Sequence, residues 1–333
     1  MTIALQTPNN REKLLVQSFT LMIGLLLLGV KFYAYYLTNS NAILTDALES
    51  IVNIIAGGFG LYSLYLAAKP QDEDHPYGHG KIEYISASIE GTLISVTGIS
   101  MIIKSSYNFI VPKHIDHLDM GICLIIISGI INFIIGHIAQ KSGKKNSSLT
   151  LIASGEHLKI DAYTSVGLLV GLGIVYLTNL LWLDNVIAIL IGLFVIYNGI
   201  KILKKSVAGI MDEADFKLLD KVVVQLNNNR KENWMDIHNL RIIKFGDKIH
   251  IDCHATIPWY FTMIEAHDEL KQIENNIKQL IPNNLETFIH ADPCLPKCCS
   301  SCLKSDCQHR QFPFKQRIEW TLENVMKDEK HSI

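Results

Sequence analysis

Six long apolar runs fill the first 208 residues, at roughly 17–37, 42–67, 84–105, 119–139, 149–178 and 182–203. A helix needs about 20 largely apolar residues to cross a hydrocarbon core. One such run could be a buried helix of a soluble protein; six in succession predict a bundle of six membrane-spanning helices. Composition agrees: charged residues are 19% of the 333, against about 25% in soluble domains, and mean hydropathy is +0.22. Disordered, collagen-like and coiled-coil classes are excluded. A formal net charge of −2 supplies no basic field for nucleic acid. The first run follows Arg11 and Lys13, is longer than a signal-peptide core and lacks an A-x-A-like exit, so it reads as a span.

Lys and Arg in short loops orient such a bundle. Arg11, Lys13, Lys69, Lys81, Lys141, Lys144, Lys145, Lys201, Lys204 and Lys205 fall on one side, and only Lys104 and Lys113 on the other. Both termini are therefore expected in the cytoplasm. Lys31 and Glu90 lie within spans one and three, where snorkelling or pairing with a neighbour would satisfy them.

The second and fifth spans carry the unusual residues. "LTDALESIVN" holds Asp46, Glu49 and Asn53, three and four apart and so on one helix face. "GEHLKIDAYTS" holds His157 and Asp161, an i,i+4 pair. Ionisable groups in a bilayer cost several kcal/mol unless paired, solvated or bound to a cation. Glu49, Asn53, His157 and Asp161 together offer two carboxylates, an imidazole and an amide oxygen, enough to balance one divalent ion. Such a set suits tetrahedral zinc and also accepts manganese or ferrous iron. Asp46, nearer the end of its span, is the competitor for a ligand role, and an interhelical hydrogen-bond cluster without metal is the plain alternative. After span two, "QDEDHPYGHGKIEYIS" places Asp72, His75 and His79 within eight residues of an ordered turn. It is either a solvated acidic loop or a second, accessible metal site.

Residues 209–293 change character. "EADFKLLDKVVVQLNNN" is an amphipathic helix, "HNLRIIKFGDKIHIDCHATI" two strands about a Gly-Asp turn, "TMIEAHDELKQIENNIKQLI" a second helix and "LETFIHAD" a closing strand. Beyond residue 293, "CLPKCCSSCLKSDCQHR" contains Cys294, Cys298, Cys299, Cys302, Cys307 and His309. Thiols two to four residues apart suit a structural zinc knot or another thiophilic metal, although the order fits no standard finger; a redox-sensing or metal-receiving appendage and a disordered tail without metal are the alternatives. "RQFPFKQRIEWTLENVMKDEK" reads as a short terminal helix.

Taken together, the six spans, "DHPYGHGKIE", the His157–Asp161 pair and "HADPC" resemble the cation diffusion facilitator family of zinc, cadmium, manganese and iron exporters, over about residues 15–293. The resemblance implies a transport site at Glu49, Asn53, His157 and Asp161. Asn53 departs from the charged residue usual in that position, and this bears on which ion is preferred. The resemblance also implies a ferredoxin-like cytoplasmic domain that pairs with its copy in a homodimer. There His238, His254, His267, His290 and Asp292 match a dinuclear zinc site; His250, on the strand of His254, is left out because the match falls on its neighbour. The expected organisation is thus a six-span domain (1–208), the cytoplasmic domain (209–293) and a Cys-rich tail (294–333), in an inner or plasma membrane. The expected activity is export of a divalent cation, zinc first and iron, manganese or cadmium as alternatives, by metal/proton antiport with alternating access. A proton-coupled transporter of a small solute and a membrane-tethered metal sensor are the competing readings. No H-E-x-x-H occurs to support a metalloprotease.

Overall fold

The computed structural model describes residues 8–38, 41–110, 118–178, 182–246, 248–281 and 285–331; the side chains of Asp46, Glu49 and Cys123 lie outside that description. The chain divides into two compact units, Met1–Met211 and Asp212–Ile333.

In the first unit, the described residues form long helices α1 (Pro8–Thr38), α2 (Asn41–Ala67), α3 (Ile82–Ile110), α4 (Leu118–Lys145), α5 (Leu149–Thr178) and α6 (Trp182–Ile210). Among the described residues, four stretches are long and apolar enough to cross a membrane: Pro8–Tyr33, Ser50–Ala67, Ile82–Phe109 and Asn185–Ile210. Leu26, Ile55, Ile103 and Leu190 point outward, which is the surface a hydrocarbon solvent requires. Between lipid-facing helices burial of apolar area gives no drive, so close backbone approach must hold them. Glycine supplies it in matched pairs. A Cβ on Gly98 would lie 2.8 Å from the Gly192 carbonyl oxygen, and one on Gly199 would lie 2.8 Å from that of Gly91, so α3 and α6 touch at two levels. Gly136 and Gly155 join α4 to α5 in the same way, at 2.7 Å.

Polar side chains cross the interior of this unit in a line. Lys13 of α1 pairs with Glu83 of α3 at 3.3 Å, both buried, and Ser148 also donates to Glu83. Gln17 reaches the Gly57 carbonyl and Ser154, whose hydroxyl in turn donates to the buried Glu90. Lys31 donates to Ser50 at 2.8 Å. Both in-span charges are thus engaged by neighbours.

The second unit has the expected order: α7 (Phe216–Asn228), β1 (Asp236–Phe245), β2 (Lys248–Ile257), α8 (Met263–Lys278) and β3 (Leu285–Pro293). The sheet runs β1-β2-β3, antiparallel and then parallel. Asp215 caps α7 by accepting from the Leu218 amide, and Thr262 with Glu265 forms a capping box on α8. Leu219, Val222, Val223 and Leu226 of α7 and Ile273 and Ile277 of α8 bury against Ile237, Ile251 and Ala255 of the sheet.

Residues 294–331 pack onto this same core. Trp320 and Val325 are buried in it, Arg230 lies 3.9 Å over the Trp320 ring, and Asn227 bonds the Trp320 carbonyl. The helix expected across "RQFPFKQRIEWTLENVMKDEK" is confined to α9 (Leu322–Val325). Pro313 lacks an amide hydrogen, and the carbonyls of Ile318 and Trp320 are taken by Arg230 and Asn227 of the preceding domain. Tertiary partners replaced the helical ones.

Candidate metal-transport and metal-binding sites

The inward stripes of α2 and α5 meet. Asn53 donates from Nδ2 to Asp161 Oδ2 at 3.3 Å, and His157 Nε2 stands 3.8 Å from Asp161 Oδ1. His157 is buried and Asn53 half-buried. Glu49 is one turn before Asn53 on α2, its side chain outside the described residues, as is that of Asp46. The Asn53 side chain thus presents its amide hydrogens, and not its oxygen, to the carboxylate. Glu90 of α3 lies close enough for the charges of His157 and Asp161 to act on it. The sequence signalled Glu90 only as an in-span charge; the hydroxyl that donates to it belongs to Ser154, on α5 one turn before His157.

The loop after α2 draws its three candidates together. Asp72 lies 3.0 Å from His75 Nδ1 and 3.2 Å from His79 Nε2, and the two rings are 4.4 Å apart. Gly78, at φ 85°, closes the turn by donating to the His75 carbonyl; a side chain there would be strained. The carboxyl of Asp72 loses some hydration, yet hydrogen bonds from the side chain and backbone of His75 hold it below the ordinary range. One oxygen donor and two imidazoles within 4.8 Å are a workable divalent-cation set.

In the second unit the register builds a row of imidazoles. His238 faces His254 across β1 and β2, and His254 faces His290 across β2 and β3. The pairing shifts between His238 and Arg241, with Asn239 at φ 51°, and a bulge of this kind re-aims its strand's side chains. Asp292 closes the site: its Oδ2 is 3.3 Å from His238 Nε2 and 3.2 Å from His254 Nδ1. These three atoms fit one divalent ion. His290 adjoins them, its ring 4.8 Å from that of His254 and its Nε2 3.9 Å from Asp292. His267 does not join them; it is exposed on α8. His250 instead pairs with Asp252 at 2.8 Å.

Two neighbours of this cluster were not singled out in the sequence. Lys330 lies 3.4 Å from Asp292 Oδ1. Asp236 bonds both His238 and His331; against the cost of burial, those bonds hold its carboxyl well below the ordinary range. Only the D-x-H alternation at the start of β1 could have pointed to Asp236, and nothing local to Lys330.

Cys294, Cys298, Cys299, Cys302, Cys307 and His309 line one cavity of about 40 Å³. No three of these thiols lie within 4.8 Å of one another.

Residues 17–211 match the cation efflux transmembrane domain, and residues 219–294 the cation efflux protein cytoplasmic domain. An uncharacterized transporter of Synechocystis is 31% identical over 80% of this chain and 86% of its own. The manganese efflux system protein MneS of Bacillus subtilis is 28% identical over 77% and 87%. The cation-efflux pump FieF of Citrobacter koseri is 25% identical over 83% and 90%. This chain belongs to the cation efflux, or cation diffusion facilitator, family: it is an integral membrane transporter of metal cations and not an enzyme.

Proposed function

We propose that the chain exports a divalent cation, zinc foremost, in exchange for protons through a site shared by α2 and α5. The observation that carries this is the Asn53–Asp161–His157 contact, a polar junction joining two helices inside an apolar unit. Cation entering from the cytoplasm is held by Glu49, Asn53, His157 and Asp161. Carboxylates and imidazole bind it only when deprotonated, so protons arriving from the far side compete it away. Six spans with both termini cytoplasmic give the bundle its sidedness. The soluble domain pairs with its copy, and cation held by His238, His254 and Asp292 favours one arrangement of that pair, which couples cytoplasmic metal to flux. His290 completes that site by a small movement, and Asp72, His75 and His79 form the accessible loop site.

A manganese preference is the second reading. The transport set is rich in oxygen donors, which suit manganese, and MneS is named for manganese efflux.

Uptake into proteoliposomes under an imposed pH gradient, with zinc, manganese, ferrous iron and cadmium, tests both. Asp161→Ala is expected to abolish flux of every ion, and Asn53→Asp to reorder the ions while retaining flux. Full transport by Asp161→Ala ends the proposal; an unchanged ranking in Asn53→Asp removes Asn53 from selectivity.

A further inference from the structure

The tail thiols take no part in that reading, and their surroundings are specific. Residues 294–312 contain no strand and only one short 3-10 turn, Pro296–Ser300, yet Cys298 and Cys302 are 3% and 5% exposed. Order comes from within. Arg310 donates to the carbonyls of Cys299, Cys302 and Lys304 at 2.7, 3.0 and 2.7 Å, so one guanidinium gathers both thiol-bearing turns. The Gln311 amide lies 3.5 Å from Cys299 Sγ and the Tyr260 hydroxyl 3.7 Å from Cys307 Sγ. Donors to sulfur of this kind stabilise thiolates that bind metal. His309 is fixed between Trp259 and Tyr260, with ring centroids at 5.0 and 4.6 Å. A segment this short and this poor in apolar side chains is of the kind that a bound metal commonly staples.

We propose that residues 294–309 form a structural thiolate centre for one zinc-class ion, with Cys298 and Cys302 as obligatory ligands and the remaining two drawn from Cys294, Cys299, Cys307 and His309. Both obligatory thiols are buried, and the ligand is the thiolate, whose charge a bound dication balances. Sulfurs around tetrahedral zinc stand about 3.8 Å apart, from a Zn–S length near 2.3 Å. Metal binding therefore draws the cavity walls inward and tightens the Trp259–Tyr260 loop against the end of β3. The centre is independent of transport, and binds whether or not the membrane unit moves an ion.

The test uses the full chain, purified reduced and loaded with cobalt(II). Sulfur-to-cobalt charge-transfer absorption reports thiolate ligation, which the histidine–carboxylate sites cannot produce. Cys253 does not confuse it, since burial pushes that thiol up to about 12. We expect intensity corresponding to three or four sulfurs at one equivalent per chain, its loss in Cys298→Ser/Cys302→Ser, and its retention in His254→Ala. Should the double variant misfold, the wild-type chain still decides. Zinc loading should slow alkylation of Cys298 and Cys302 at least about tenfold relative to the chelated protein, read peptide by peptide. An absent band, equal alkylation rates, or a disulfide among these five cysteines in protein prepared under reducing conditions would overturn the proposal. None of those results touches the transport reading, whose test is flux.

Discussion

At the scale of single residues, the informative contacts are those that span long stretches of chain. The pair His157–Asp161 was visible in the sequence because four residues make one helical turn. Its neighbour Glu90 was not, because the hydroxyl that engages it belongs to Ser154, on another helix. Glu90→Gln keeps the shape and exchanges a carboxyl for an amide near the proposed transport site. The expected result is a three- to tenfold rise in apparent KM for cation, on the order of 1 kcal/mol. An unchanged KM in the flux assay would return Glu90 to a packing role. Lys330 offers the converse case. Its ammonium, 3.4 Å from Asp292, occupies a position that a dication at the histidine cluster contests. Lys330→Gln should strengthen cation binding there by several-fold, measured by calorimetry on the chain with Cys298 and Cys302 replaced by Ser. Weakened binding would make Lys330 a support for the site.

At the scale of elements, hydropathy gave the long helices, since bilayer thickness dictates their length. What it could not give is which helices touch. That information resides in glycines whose partners lie on distant helices. Gly98→Val places carbon inside the Gly192 carbonyl contact, and overpacking of this kind costs about 1–3 kcal/mol. The detergent-solubilised protein should melt several degrees lower, while Gly29→Ala, with open space at its Cβ position, should melt as wild type. Equal melting of the two variants would mean the α3–α6 seam is loose. In the soluble unit, Asp215 caps α7 and pairs with Lys244. Although its partial burial works the other way, the bonds from Lys244 and the Leu218 amide lower its pKa. A carboxylate depressed in the folded state stabilises above its unfolded value and loses that contribution as pH falls through the folded one. Asp215→Ala should therefore cost about 1 kcal/mol near neutral pH, with the deficit against wild type shrinking below about pH 4. A deficit constant down to pH 2 would rule out the charge and leave only packing. The terminal stretch shows the limit of periodicity: its sequence reads as helix, yet Asn227 and Arg230 claim carbonyls that a longer helix would have used.

At the scale of the whole molecule, each unit keeps its own logic: the first turns apolar side chains outward and engages its buried polar ones with one another, whereas the second buries an apolar core. Candidate ligands that the sequence set within one turn, Asp72, His75 and His79, lie together in the structure. Strand register likewise brings His238, His254 and Asp292 together, whereas His267, grouped with them by motif matching, lies exposed on α8. The paired glycines carry a consequence for transport itself. Backbones in direct contact have little slack to slide, so in the proposed transport cycle α3 with α6, and α4 with α5, are expected to travel as two fused rods. Asn53 and Asp161 sit where one such rod meets α2, and that is where shear can occur. A disulfide engineered between α3 and α6 should leave cation flux intact, whereas one between α2 and α5 should arrest it. The gate, on this account, is a seam of two side chains, and the glycines are the rivets of the two joints that do not give.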